Sequence, residues 1–134
     1  MAKVLIIDDS AVMRRLLAMV LGTKKYDVAL AADATSAVMV AQREKPDLII
    51  LDLSLPGGDG FLLMERFKNL SRLALVPIIV LSGETSAGIK ERALQAGAEA
   101  FFTKPPNDDE LLAAVQKSLS KSTRIGPGKA QDTD

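Results

Sequence analysis

The sequence predicts an α/β fold, a doubly wound five-stranded parallel sheet in the order 2-1-3-4-5. Two observations carry that expectation. Five short apolar runs, at residues 4–7, 28–31, 48–51, 78–81 and 100–103, alternate with stretches of helical spacing, and such alternation folds as strand–helix units with right-handed crossovers. The first, third and fourth runs are continuously apolar and rich in branched side chains, the pattern of strands covered on both faces.

In chain order, run 4–7 gives strand 1 and stops at Asp8 and Asp9. Met13, Leu16, Leu17 and Val20 then fall at i, i+3, i+4 and i+7, one face of helix 1, with Gly22 as its stop. Run 28–31 is weaker, as edge strands are. Ala34, Ala37, Val38 and Ala41 repeat the helical spacing behind Asp33, a residue suited to an N-cap. Strand 3 follows at 48–51 and leads into Asp52. Leu63, Met64 and Phe67 mark helix 3, opening near Asp59-Gly60. Strand 4 leads into Ser82. Ile89, Ala93 and Ala96 mark helix 4, ending at Gly97, and run 100–103 is the second edge strand, followed by Lys104. Leu111, Leu112, Val115 and Leu119 mark helix 5, capped by Asn107 or Asp108. Periodicity fades from about residue 121, so residues 1–120 read as one domain and 121–134 as a flexible tail.

Composition removes several chemistries. The 134 residues contain no Cys and no His, which excludes disulfides, thiolate nucleophiles, imidazole acid–base catalysis and the usual zinc sites. A chain without His also cannot be the His-phosphorylated donor of a phosphorelay. Lys plus Arg balance Asp plus Glu at 17 each, so no basic excess points to nucleic acid. The apolar run at 4–7 is too short for a signal peptide or a membrane span, and a soluble cytoplasmic protein is expected. Apolar residues are 48% but aromatics only 4%, so the core must be aliphatic.

The candidate site follows from topology. Ligands of open parallel sheets bind beyond the carboxyl ends of the strands. Asp8 and Asp9, Asp52, Ser82 and Lys104 stand at those ends of strands 1, 3, 4 and 5, which the strand order makes neighbours. Clustered carboxylates repel one another, and a hard divalent cation such as Mg²⁺, which favours carboxylate oxygens, relieves that repulsion. Asp52 is placed as a carboxylate nucleophile able to form an aspartyl-phosphate. Lys104 and the cation can neutralise phosphoryl oxygens, and Ser82 can donate a hydrogen bond to one of them. Taken singly, each residue has an ordinary role. Asp9 and Ser10 suit an N-cap, Asp52 a turn, Ser82 a local capping hydroxyl, Lys104 a solvated surface and Phe101 the core. Jointly, those roles would require polar residues to collect by chance at four strand ends.

Four motifs in order resemble the response-regulator receiver family, in length its stand-alone chemotaxis-type members, over about residues 3–120. They are I-I-D-D-S with Arg14 following, D-L-S-L-P-G-G-D-G from Asp52 to Gly60, V-L-S at Ser82, and A-G-A-E-A-F-F-T-K-P ending at Pro105. The resemblance implies the flavodoxin-like form of the sheet and a phosphorylation switch, not a turnover enzyme. It implies Asp52 as phosphoacceptor, and Mg²⁺ held by Asp52, by Asp9 directly, by Asp8 mainly through water and by the backbone carbonyl of Ser54. It implies Lys104 at the phosphoryl group, a cis bond before Pro105, and Ser82 with Phe101 as the switch pair. The partners implied are a histidine kinase or histidine phosphotransfer protein as donor, docking near helix 1, and a protein target read by the helix 4–strand 5–helix 5 face. Neither nucleic acid nor membrane is implied, and the chain would act as a monomer or a phosphorylation-dependent dimer. Gly58, Gly83 and Pro106 depart from the family's usual apolar or Ala residues. With Gly88, Gly83 should loosen the segment before helix 4. A phosphatase of the haloacid dehalogenase type would want D-x-D-x-T where Asp52-Leu53-Ser54-Leu55 stands, and an acidic loop after strand 1 would repel the phosphate of FMN.

Overall fold

A computed structural model describes residues 2–55 and 59–125, with side chains through residue 121. Its elements are β1 (Lys3–Ile7), α1 (Ala11–Gly22), β2 (Asp27–Ala31), α2 (Ala34–Glu44), β3 (Leu48–Asp52), α3 (Gly60–Lys68), β4 (Ile78–Ser82), α4 (Ile89–Gln95), β5 (Ala100–Thr103) and α5 (Asp108–Ile125). All strand pairs are parallel and the sheet order is β2-β1-β3-β4-β5, as the alternation predicts. Every residue of the central strands β3 and β4 is buried, whereas β2 and β5 are partly exposed at the edges.

The sheet carries a core on each face. Leu17 and Leu21 of α1 with Leu111 and Val115 of α5 pack on Val4, Ile6, Leu48, Ile50, Ile79 and Leu81. On the other face, side chains of α2, α3 and α4, among them Val38, Met64, Phe67 and Ala93, cover Leu5, Ile7, Ile49, Leu51 and Val80. Complete burial of a Leu, Ile or Val contributes roughly 1.5–3 kcal/mol, so these aliphatic layers hold the fold without aromatic bulk. Caps set the helix starts. Ser10, Asp33 and Asp59 accept main-chain hydrogens from Met13, Ser36 and Phe61, and Asn107 accepts from Glu110, which makes Asn107 the cap of α5 and Asp108 its first residue.

Three local expectations are corrected. In α1, Leu17 is buried and Met13 packs on the core as expected, but Leu16 is 49% exposed and Leu21 takes its place in the core, because the buried face lies toward Leu17 and Leu21. Ala96 is the C-cap of α4 and not part of it, and Gly97 takes the positive φ of 110° that ends the turn. Helix α5 continues to Ile125, past the boundary expected at 120, so the first residues assigned to a tail are helical. The rest of that tail and Gly58 lie outside the described residues.

Gly60 fixes how α3 meets the sheet. A Cβ there would lie 2.6 Å from the Leu53 Cα and 2.8 Å from its carbonyl oxygen, and Gly60 N–H donates to that carbonyl at 3.2 Å. Main chain cannot yield as a side chain can, so Gly60→Ala is expected to cost about 1–3 kcal/mol by overpacking. Urea denaturation checks this, and an unchanged midpoint would show that the approach is not tight.

Candidate functional site

The backbone ladder brings the site residues level. Asp52 pairs in register with Leu81, and Ser82 with Thr103. Past the strand ends, Asp8 N–H donates to Ala31, Leu53 N–H to Leu81 and Lys104 N–H to Ser82, so the carboxyl end of β1 is tied to that of β2, and those of β3, β4 and β5 to one another. Alternation then sorts the side chains. Asp52 follows Leu48 and Ile50 on the α1/α5 face, and Ser82 follows Ile78 and Val80 on the other, which Phe101 shares.

Asp8, Asp9 and Asp52 each bring a carboxylate oxygen within 4.8 Å of the other two. Asp8 and Asp52 are buried, at 1% and 3% exposure, and Asp9 is exposed. Lys104 Nζ reaches Asp8 Oδ2 at 2.7 Å and Asp52 Oδ2 at 3.1 Å. Burial works to lower the Lys104 pKa, but hydrogen bonding and charge from Asp8 and Asp52 outweigh it, leaving it above the ordinary 10.5. The sign follows from linkage. A raised lysine pKa stabilises the fold throughout the range below 10.5 and loses that contribution only as pH climbs through the folded value, so the ammonium is charged at neutral pH.

The remaining carboxylate oxygens are held locally. Asp8 Oδ1 accepts from Ser10 N–H at 2.9 Å, and Asp52 Oδ1 from Ser54 N–H at 3.0 Å. Asp8 Oδ2, although it meets the ammonium, has no hydrogen bond of good geometry. Two buried carboxylates thus share one ammonium, and the third carboxylate, of Asp9, stands beside them without a cation partner among the described residues. That donor set, all hard oxygen, fits a small divalent cation such as Mg²⁺. Ser10, not Asp9, caps α1, and among the described residues Asp9 makes no hydrogen bond or ion pair, which leaves its carboxylate available.

Of the residues singled out in the sequence, Asp8, Asp9, Asp52 and Lys104 converge. Ser54 joins them through its amide. Ser82 is fully buried at the adjacent strand end, but its hydroxyl accepts from Glu84 N–H at 3.0 Å and donates to Glu84 carbonyl oxygen at 3.3 Å. Phe101 is partly buried beside Val80, its partner in register. The Lys104–Pro105 peptide is cis. Two contributors lacked a legible role in the sequence. Arg14 Nη1 donates to the Asp8 carbonyl oxygen at 2.8 Å, fastening the turn that carries both acids, and Gly60 seats α3 against the residue after Asp52. Arg14 stood within the first motif, but only the fold shows that its side chain reaches back to Asp8.

Comparison with known proteins agrees with this geometry. A family model described as the response regulator receiver domain matches residues 4–116. The crystal structure of a receiver domain protein from Methanospirillum hungatei JF-1 superposes with a TM-score of 0.86 at 27% identity, covering 94% of this chain and 99% of that one. The chemotaxis response regulator CheY4 of Vibrio cholerae gives 0.80 at 35% identity over 88% and 98%. Among curated relatives, the DNA-binding dual master transcriptional regulator RpaA of a Synechocystis strain is 35% identical over 93% of this chain and 52% of its own length. This chain spans between 26% and 59% of curated relatives of this kind.

Removing the ammonium tests the charge balance. Lys104→Ala leaves two buried carboxylates facing each other, and is expected to cost stability near the lower end of the roughly 3–5 kcal/mol typical of a broken buried pair. Mg²⁺ should restore more stability in that variant than in the parent. Chemical denaturation with and without Mg²⁺ checks both, and equal Mg²⁺ effects would count against a cation site at these aspartates.

Proposed function

The chain belongs to the response regulator receiver domain family, and from that premise we propose that Asp52 accepts a phosphoryl group in a Mg²⁺-dependent transfer from a partner's phosphohistidine. The observation that carries this reading is the convergence of three aspartates within 4.8 Å under one lysine, with Asp52 buried among them. A buried carboxylate held by a local amide is oriented for attack, and it escapes the solvation that would blunt it.

Asp8, Asp9, Asp52 and the Ser54 carbonyl would hold the cation. Its chemistry there is neutralisation of phosphoryl charge while the nucleophile approaches. In the transfer, an Asp52 carboxylate oxygen bonds to phosphorus as the phosphorus–nitrogen bond of the donor imidazole breaks, and the imidazole leaves with that electron pair. Lys104 gives the transferred group a fixed positive charge, since its ammonium is already aimed at Asp52. The product adds roughly 1.5–2 negative charges and strong acceptor oxygens to the pocket. Ser82 would then exchange its bond with Glu84 for one with the phosphoryl group, and Phe101, on the same face of the sheet, would turn into the space released. The result is a population shift of the α4–β5–α5 surface toward a form that a partner protein reads.

This reading makes the protein a switch in a two-component pathway and not a turnover enzyme. Among the described residues no helix is long and apolar enough to cross a membrane, which suits a cytoplasmic switch fed by a histidine kinase or phosphotransfer protein. Intact-protein mass spectrometry after acetyl phosphate treatment tests it. The parent should gain one phosphate with Mg²⁺ and none with excess chelator, and Asp52→Asn should gain none in either condition. A stable phosphate on Asp52→Asn would reassign the acceptor.

A further inference from the structure

Helix α4 is weakly attached. It has seven residues, begins after Gly88 at a φ of 85° and has no side-chain cap. Its buried residue is Ala93, with Ile89 partly buried against the core, while Leu94 is 41% exposed. An element that buries so little apolar surface opens at low free-energy cost. One contact works against that. The Arg92 guanidinium carbon lies 3.8 Å from the centre of the Phe61 ring, within cation–π range.

The two partners report on different parts of the molecule. Arg92 is carried by α4. Phe61 opens α3, its N–H donating to the Asp59 carboxylate at 2.8 Å, and the preceding Gly60 lies against the Leu53 main chain. Leu53 is the residue after Asp52, and its own N–H donates to Leu81. Phe61 is therefore referenced to the acidic pocket through main-chain contacts. At the other end of the same circuit, Ser82 is bound to Glu84, and Ser86 Oγ donates to the Glu84 carboxylate at 2.7 Å. Ser82 cannot turn toward the pocket without releasing Glu84, which would free the segment leading into α4 to shift. Arg92 on Phe61 resists the displacement.

We infer that the Arg92–Phe61 contact is a latch that holds α4 in the resting arrangement and so lowers the affinity of the Asp52 pocket for a phosphoryl group. The inference rests on the phosphoacceptor reading and assigns Arg92 and Phe61 as positioning residues that act through α4. Sites coupled in this way are coupled reciprocally, so releasing the latch must strengthen binding at the pocket. Arg92 is exposed and Phe61 is only partly buried, so Arg92→Ala and Phe61→Leu should both fold.

The test is calorimetric titration with beryllofluoride, a phosphoryl mimic, in the presence of Mg²⁺. Both variants should bind it about two- to five-fold more tightly than the parent, the range set by an exposed cation–π contact. The double variant should gain no more than either single one, because the two residues form one contact. Without beryllofluoride, amide hydrogen exchange should quicken in α4 and stay unchanged in α5. Unchanged or weaker binding in the variants, beside normal binding in the parent, would overturn the latch and leave the phosphoacceptor reading intact. A parent that fails to bind beryllofluoride would overturn that reading and the latch with it.

Discussion

The structure turns on an electrostatic constraint at the carboxyl edge of the sheet. Asp8 and Asp52 are buried where the strands end, Asp9 stands beside them, and one ammonium answers the two buried acids. Buried charge of one sign is tolerated only when it is paired or hydrogen-bonded. Lys104, Ser10 N–H and Ser54 N–H answer Asp8 and Asp52, and Asp9 is the acid left without a partner among the described residues. The rest of the fold can be read as the support for that arrangement. Two aliphatic cores clamp the strands, the ladder hydrogen bonds past the strand ends hold the edge in register, and Arg14 fixes the turn that carries two of the acids. Three acids beside one lysine leave a local shortage of positive charge, which in the proposed function a cation would relieve and a phosphoryl group would restore.

Much of this was legible in the residue pattern, and the reason differs by element. Continuous branched runs identify β3 and β4 because both faces of a central parallel strand are covered. Weaker runs identify β2 and β5 because one side lies open. The acid cluster was readable because strand order converts distance in sequence into adjacency in space. Helix faces were less secure. Met13, Leu16, Leu17, Val20 and Leu21 form a stripe wider than the groove it meets, and packing chose Leu17 and Leu21. The extension of α5 escaped notice because polar residues after Leu119 give no apolar period, although nothing in that run breaks a helix before Gly126. Arg14, Gly60 and the pairing of Arg92 with Phe61 needed coordinates, since each depends on a contact between elements that sequence spacing does not encode.

Ser82 shows how far pattern reasoning reaches. Its position was evident, but its present partner was not. The hydroxyl makes a short local loop with Glu84, the ordinary behaviour of serine near a turn. In the proposed switch that local bond is the competitor a phosphoryl group must displace, so the capping role and the signalling role describe two states of the same side chain.

The alternation of β3 and β4 has a further effect. Asp52 belongs to the face covered by α1 and α5, whereas Ser82, Phe101 and α4 belong to the opposite face. The sheet is therefore a partition, with the proposed phosphoacceptor on one side and the proposed switch residues on the other. In the proposed switch, a change at Asp52 would cross at the rim, where Leu53 meets Leu81 and Lys104 meets Ser82. If the proposed function holds, such a wall would let the surface that meets the donor and the surface that a target reads diversify separately, while the few residues at the crossing stay answerable to both.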